Sequence, residues 1–156
     1  MKSIVYLFCF ALFIFSTSSF SQAAKVSINK TSNGFQLIKN NEPYYIKGAG
    51  AKSNFKKVFE SGANSIRIWS TNKSELLDSA YKYDLSVCLG IWVAQERNGF
   101  NYNDEYNVRS QIELIKKEIL RLKDHPSILL WGIGNEVDLQ YSNFKVWETI
   151  EEIAKF

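Results

Sequence analysis

The sequence predicts an α/β fold built on a parallel sheet, and three observations carry that prediction. Short apolar runs alternate with amphipathic segments, strand then helix, four times along the chain. The runs at 85–93 and 128–133 show no polar alternation, as expected of strands buried on both faces. The turns from helix back to strand are short, so successive strands are joined by crossovers, which are right-handed.

In chain order, Gly34-Phe-Gln-Leu-Ile and Tyr44-Tyr-Ile-Lys flank Asn40-Asn-Glu-Pro. This predicts a short β-hairpin or pair of strands, the second leading inward to Gly48-Ala-Gly50. Ser53 is placed to cap a helix with Phe55, Val58 and Phe59 inward and Gly62 at its end. Ser65-Ile-Arg-Ile-Trp69 is the next strand. Asn72 or Ser74 opens a helix carrying Leu76, Leu77 and Ala80, which ends near Asp84. After the strand at 85–93 comes a polar loop from Ala94 to Asp104. A helix from Asp104 to Lys123 sets Val108, Ile112, Ile115, Ile119 and Leu122 on one face. Pro126 stops it, the strand at 128–133 follows, and a helix over 143–155 turns Phe144, Trp147, Ile150 and Ile153 inward. Four strand-helix units are half of an eight-stranded barrel, which takes about 250 residues. The pattern leaves a flavodoxin-like open sheet and half a barrel both open.

The chain has 156 residues, enough for one modest domain with a core. Its formal net charge is +3, with lysines and arginines scattered among acids. There is no basic stripe, so nucleic acid is not an expected partner. Lys2, the apolar run from Ile4 to Phe15 and the small polar tail to Ser21-Gln-Ala-Ala read as a signal peptide over 1–23. The remainder, 24–156, would be exported to the periplasm, the cell surface or beyond, with no membrane attachment after cleavage. The competing reading is an uncleaved anchor, for which the run is short. Without the leader, Cys88 is the only cysteine, so no intrachain disulfide forms, and it reads as a small buried hydrophobe. No dinucleotide fingerprint, P-loop or metal-ligand spacing is present, and no cofactor or metal is expected.

The chemistry-bearing stretch is His125-Pro-Ser-Ile-Leu-Leu-Trp-Gly-Ile-Gly-Asn-Glu136. Gly132 and Gly134 let the backbone crowd and turn at the strand's end. Asn135 and Glu136 then stand where catalytic groups collect in α/β folds. Trp131 and Ile133 predict an apolar setting that disfavours a charged Glu136, as a general acid needs. The alternative is that Glu136 is simply the first-turn acid of the next helix.

That stretch, begun from Lys123-Asp, resembles the acid/base motif of glycoside hydrolase family 2 barrel domains and of the wider retaining glycosidase clan. There an Asn-Glu pair ends the fourth strand of a (β/α)8 barrel. Pro43-Tyr-Tyr-Ile-Lys-Gly looks like the approach to the first barrel strand, Gly62-Ala-Asn-Ser-Ile-Arg-Ile-Trp like the second, and 85–92 like the third. The likeness runs from about Gly34 to the end. Ile46-Lys-Gly with Gly134-Asn-Glu-Val is also similar to fungal β-1,3-glucanosyltransferases.

The resemblance implies a partial TIM barrel, the N-terminal half, acting on an oligo- or polysaccharide. Glu136 matches the general acid/base, Asn135 the amide that holds the sugar 2-hydroxyl, and Arg67 the arginine that orients the nucleophile. Arg67, between Ile66 and Ile68, is expected to be buried and to need an anionic partner. Trp69 and Trp92 fall at strand ends, where an indole stacks on sugar or belongs to the core. Gln95, Glu96 and Arg97 line the cleft or are solvated loop. His125 orients the turn at the opposite end and carries no chemistry.

The family's nucleophile is a glutamate on the seventh strand, and no residue here matches it. Glu96 and Asp104 are acids on a loop that fit no family position. The expectation is therefore an incomplete, inactive piece of an exported glycoside hydrolase. A transglycosylase on the same fold, a non-catalytic carbohydrate-binding module and a flavodoxin-like domain are the alternatives.

Overall fold

A computed structural model describes residues 22–156. The leader expected over 1–23 lies outside these residues except for its last two. Three antiparallel strands come first, β1 (Val26–Thr31), β2 (Gly34–Lys39) and β3 (Glu42–Pro43), in the order β1-β2-β3. A parallel sheet follows, made of β4 (Gly48–Gly50), β5 (Ser65–Ile68), β6 (Ser86–Ile91) and β7 (Ile128–Ile133). Its helices are α1 (Phe55–Glu60), α2 (Glu75–Lys82), α3 (Glu105–Leu122) and α4 (Lys145–Lys155). The sheet order is β4-β5-β6-β7, identical to chain order. Each crossover therefore steps one place in one direction, as in a TIM barrel, whereas a flavodoxin-like sheet reverses at its switch point. The fold is a partial TIM barrel.

The first strands correct the expected hairpin. The main partner of β2 is β1, paired from Val26↔Lys39 to Thr31↔Gly34, and not the segment Tyr44 to Lys47. Asn40 and Asn41 both take positive φ (53° and 69°), which makes a tight turn. Pro43 has no N–H to extend the ladder, so only Glu42 and Pro43 pair back.

The helices follow their apolar periods. In α3, Asp104 accepts the Asn107 amide at 3.1 Å as N-cap, and Ile112, Ile115 and Leu122 are buried. In α4, Val146, Thr149 and Ile153 are buried. Phe144, expected inward, is 67% exposed because it precedes the first helical turn. Asn54, not Ser53, occupies the cap position of α1, in a left-handed conformation.

The helices cover one face of the sheet. Ile66, Ile68, Val87 and Leu89 pack on Phe55, Leu77 and Ala80, while Ile91 and Val93 pack on Tyr102, Ile112, Val146 and Ile153. Trp131 touches both clusters and joins them. Strand alternation sends the intervening residues, Arg67 paired with Cys88, to the other face, which is open. Among the described residues, no helix is long and apolar enough to cross a membrane.

Candidate active site

The strands β5, β6 and β7 deliver their carboxyl ends to one rim. Leaving β7, Gly134 takes φ +76°, and a Cβ there would come within 2.9 Å of Val137 Cγ1. Glu136 itself sits at φ +49°. Such a conformation is uncommon for a residue other than glycine or asparagine, and it concentrates at functional sites.

Arg67 Nη2 donates to Asn135 Oδ1 at 3.2 Å, reaching from β5 across β6 to the end of β7. The third loop grips the same segment from the other side. Gln95, 2% exposed, donates its Nε2 to the Asn135 carbonyl at 2.5 Å. Arg97 donates Nη1 to the Glu136 carbonyl at 2.9 Å and Nη2 to Glu136 Oε2 at 3.1 Å. Glu96 accepts the amides of Ser142 and Asn143 at 2.7 and 2.9 Å, just before α4. Those amide donors hold its carboxyl below the usual carboxylate range. The loop is in turn anchored at Ala94. Its N–H reaches Gln111 Oε1 at 2.6 Å, and its carbonyl accepts the Tyr102 hydroxyl at 2.5 Å. Three consecutive residues thus fix Asn135, Glu136 and the start of α4.

The structure brings Arg67, Asn135 and Glu136 to one rim but not into one pocket. A hollow of about 340 Å³ on the open face is lined by Gly48, Gly50, Arg67 and Cys88, without Asn135 or Glu136. Arg67 is exposed there and needs no buried anion. The Glu136 side chain is 64% exposed and faces Arg97 rather than Arg67. Trp131 does not give it an apolar setting, because that indole pairs in register with Leu89 and packs toward the helices. Trp69 follows β5 and lies over Gly50, with Arg67 Cζ 5.5 Å and Lys52 Nζ 5.8 Å from its ring centre. Trp92 follows β6 and is 54% exposed.

Sequence reading named Gln95, Glu96 and Arg97 as cleft or loop but not their partners. It missed Tyr102 and Gln111, whose only signal was a polar or hydroxyl group beside an apolar helix face. His125 lies at the other end of the sheet. It braces the turn before β7 by accepting from Ser127 N at 3.2 Å, and its Nε2 is 3.2 Å from Asp78 Oδ1. Burial pushes the Cys88 thiol up, against a smaller opposing pull from Arg67. Among the described residues, no group of three or more His, Cys, Asp or Glu side chains is placed to hold a metal ion.

Parallel βα units stepping one way, with a carboxylate, an amide and a guanidinium at their carboxyl ends, define a domain of the TIM-barrel type. The chain belongs to the glycosyl hydrolases family 2, TIM barrel domain, which it matches over residues 78–155, half its length. That match includes Asn135 and Glu136 and leaves out Arg67 and Trp69. Among solved structures, the chain is similar to the β-glucuronidase from Ruminococcus gnavus in complex with C6-substituted uronic isofagomine, with a TM-score of 0.61 at 20% identity. The alignment covers 83% of this chain and 24% of that one, so the likeness is one of fold. The chain spans about a quarter of that protein's length. No curated protein sequence matches it.

Proposed function

We propose that this chain is part of an exported glycoside hydrolase working by the retaining route, with Glu136 as general acid/base. In the first step Glu136 gives its proton to the glycosidic oxygen as the bond to the anomeric carbon breaks. In the second it takes a proton from the attacking water. Asn135 holds the sugar 2-hydroxyl, Arg67 orients the nucleophile, and Trp69 and Trp92 offer faces to sugar rings. The observation that most supports this reading is the Arg67–Asn135 hydrogen bond beside Glu136, which ties two separate strand ends into one polar rim. For the acid step the Arg97–Oε2 contact has to open, since a protonated carboxyl no longer attracts a cation.

Retention requires a second carboxylate about 5–5.5 Å from the first. Glu96 is committed to the amides before α4 and Asp104 to the cap of α3, so neither is free to act. In this reading the nucleophile comes from strands beyond these four, and the chain alone turns nothing over. The test pairs aryl glycoside hydrolysis with oligosaccharide binding. Binding weakened by Asn135→Ala without turnover is the expected result. Turnover abolished by Glu136→Gln would place the second carboxylate within this chain, and an absence of any sugar binding would sink the reading.

The ion pair with Arg97 favours a second reading, a carbohydrate-binding module that keeps the cleft without the chemistry. Sugar binding that survives Glu136→Ala, with no hydrolysis in a longer chain, would select it. Transfer to a second sugar instead of water shares the same acid/base step and is distinguished by its products.

A further inference from the structure

A groove of about 700 Å³ lies between α3 and α4 on the helix side of the domain, within the size range of small-ligand clefts. No strand residue lines it, so neither edge of the parallel sheet contributes to it. Its floor is closed and its polar groups are satisfied. Tyr102 and Thr149 are 1% and 4% exposed. The Tyr102 hydroxyl donates to the Ala94 carbonyl, and Thr149 Oγ1 donates to the Lys145 carbonyl at 2.9 Å. Val108 packs between them and the second apolar cluster.

The walls carry both signs of charge around one bare ring. Arg109 Nη1 meets Glu152 Oε1 at 2.7 Å and ties α3 to α4. Glu105, Glu148 and Lys145 stand exposed around the same space. Tyr106, on α3, is 80% exposed beside them. Both helices start at the carboxyl ends of their strands. Glu105, Tyr106 and Lys145, in the first turns, therefore set the mouth of the groove on the side of the domain that holds Asn135 and Glu136. Glu96 fixes that end of α4 through the Ser142 and Asn143 amides.

We propose that this groove is a second, non-catalytic saccharide site, which holds a stretch of a neutral polysaccharide beside the candidate active site. The choice of a sugar rests on the glycosidase reading. The Tyr106 ring stacks on the C–H face of a pyranose. Each sugar hydroxyl donates one hydrogen and accepts others. Glu105 and Glu148 accept those hydrogens, while Lys145 and Arg109 donate to the oxygens. Three carboxylates against two cations disfavour a polyanion. The substrate class that follows is a polymer, since a chain engaged at groove and rim together gains effective concentration that a small glycoside does not.

The test is amide and methyl NMR of the full chain titrated with laminarihexaose, cellohexaose and mannohexaose, all neutral. Shifts of the Val108 and Thr149 methyls report the groove, and shifts of the Gly134 and Asn135 amides report the rim. Saturable groove shifts are expected with at least one of these sugars. Tyr106→Ala should weaken that binding by about fivefold, and Tyr106→Phe, which keeps the ring, should preserve it. A side chain so exposed is not needed for folding. Shifts confined to the rim overturn this proposal and leave the glycosidase reading standing, whereas shifts confined to the groove do the reverse. A groove response that Tyr106→Ala leaves unaltered also overturns it, as do groove shifts caused by an oligolysine peptide and by none of the sugars.

Discussion

The two ends of the parallel sheet are held by different means. At the amino ends, buried small hydroxyls and backbone groups meet the antiparallel strands. Tyr44 donates its hydroxyl to the Asn64 carbonyl at 2.8 Å and lies 3.0 Å from Ser65 Oγ, and Lys39 reaches Ser86 Oγ at 2.8 Å. Ser65, Ser86 and Ser127 are all buried there, and the left-handed residues Gly62 and Asp84 end helices, while Asn40 and Asn41 make the turn after β2. At the carboxyl ends the contacts are between charged side chains and loops. Arg67, Gln95 and Arg97 hold Asn135 and Glu136, and a glutamate takes the left-handed conformation. The amino ends have the character of a closed structural seam. The carboxyl ends hold polar groups exposed and in strained geometry, as a site that must meet a ligand does.

The largest expected effect tests whether the carboxyl end is only a site. A Cβ at Gly90 would come within 2.6 Å of the Trp69 backbone carbonyl, which cannot swing aside. Gly90→Ala should therefore cost about 1–3 kcal/mol, the range of overpacking, read as a lower midpoint in urea with an unchanged slope. A neutral result would mean that the segment after β5 yields freely.

Next in size is Tyr44→Phe at the amino end. It leaves the Asn64 carbonyl and Ser65 with one partner fewer and should cost about 0.5–1.5 kcal/mol. The Tm should fall by about 2–6 °C while sugar binding is unchanged. Loss of sugar binding in this variant would mean that the two ends are coupled.

How far the sequence foretold this division depends on the kind of signal. The strand β7 was legible to the residue, because an unbroken apolar run stood between Pro126 and Gly134. The helix α3 was legible from its period and its aspartate cap. The strand β1 was not, since it is polar, exposes Ile28 at 67% and adjoins the segment that reads as a leader. Asn135, Glu136 and Arg67 could be placed at strand ends by counting along strands. The Arg97–Glu136 pair could not, because it depends on how two loops fold toward each other and on a backbone turn at Glu136 that no residue preference demands.

A smaller effect concerns pH. The Glu96 carboxyl is held below its ordinary range by the amides of Asn143 and Ser142. Its contribution to stability is present above the unfolded carboxylate value, about 4.3, and is lost as pH falls through the lower folded value. The Tm of Glu96→Gln should be the less sensitive of the two below about pH 4.5, and parallel Tm–pH curves for variant and parent would remove Glu96 from the clasp.

The smallest stability effect belongs to the residue with the largest proposed role. Glu136→Gln keeps the shape and the left-handed turn, and Arg97 can still donate to the backbone carbonyl at 2.9 Å. What is lost is one charge-assisted contact to a side chain 64% exposed. Such a pair is worth about 0.2–1 kcal/mol, so the Tm should move by no more than a few degrees. If Glu136→Gln instead cost as much as Gly90→Ala, the ion pair would be a structural tie like those at the amino ends. The Arg97 contact could then not open at little cost for a proton to reach Oε2, and the contrast between the two ends would fail at the residue on which the proposed chemistry depends.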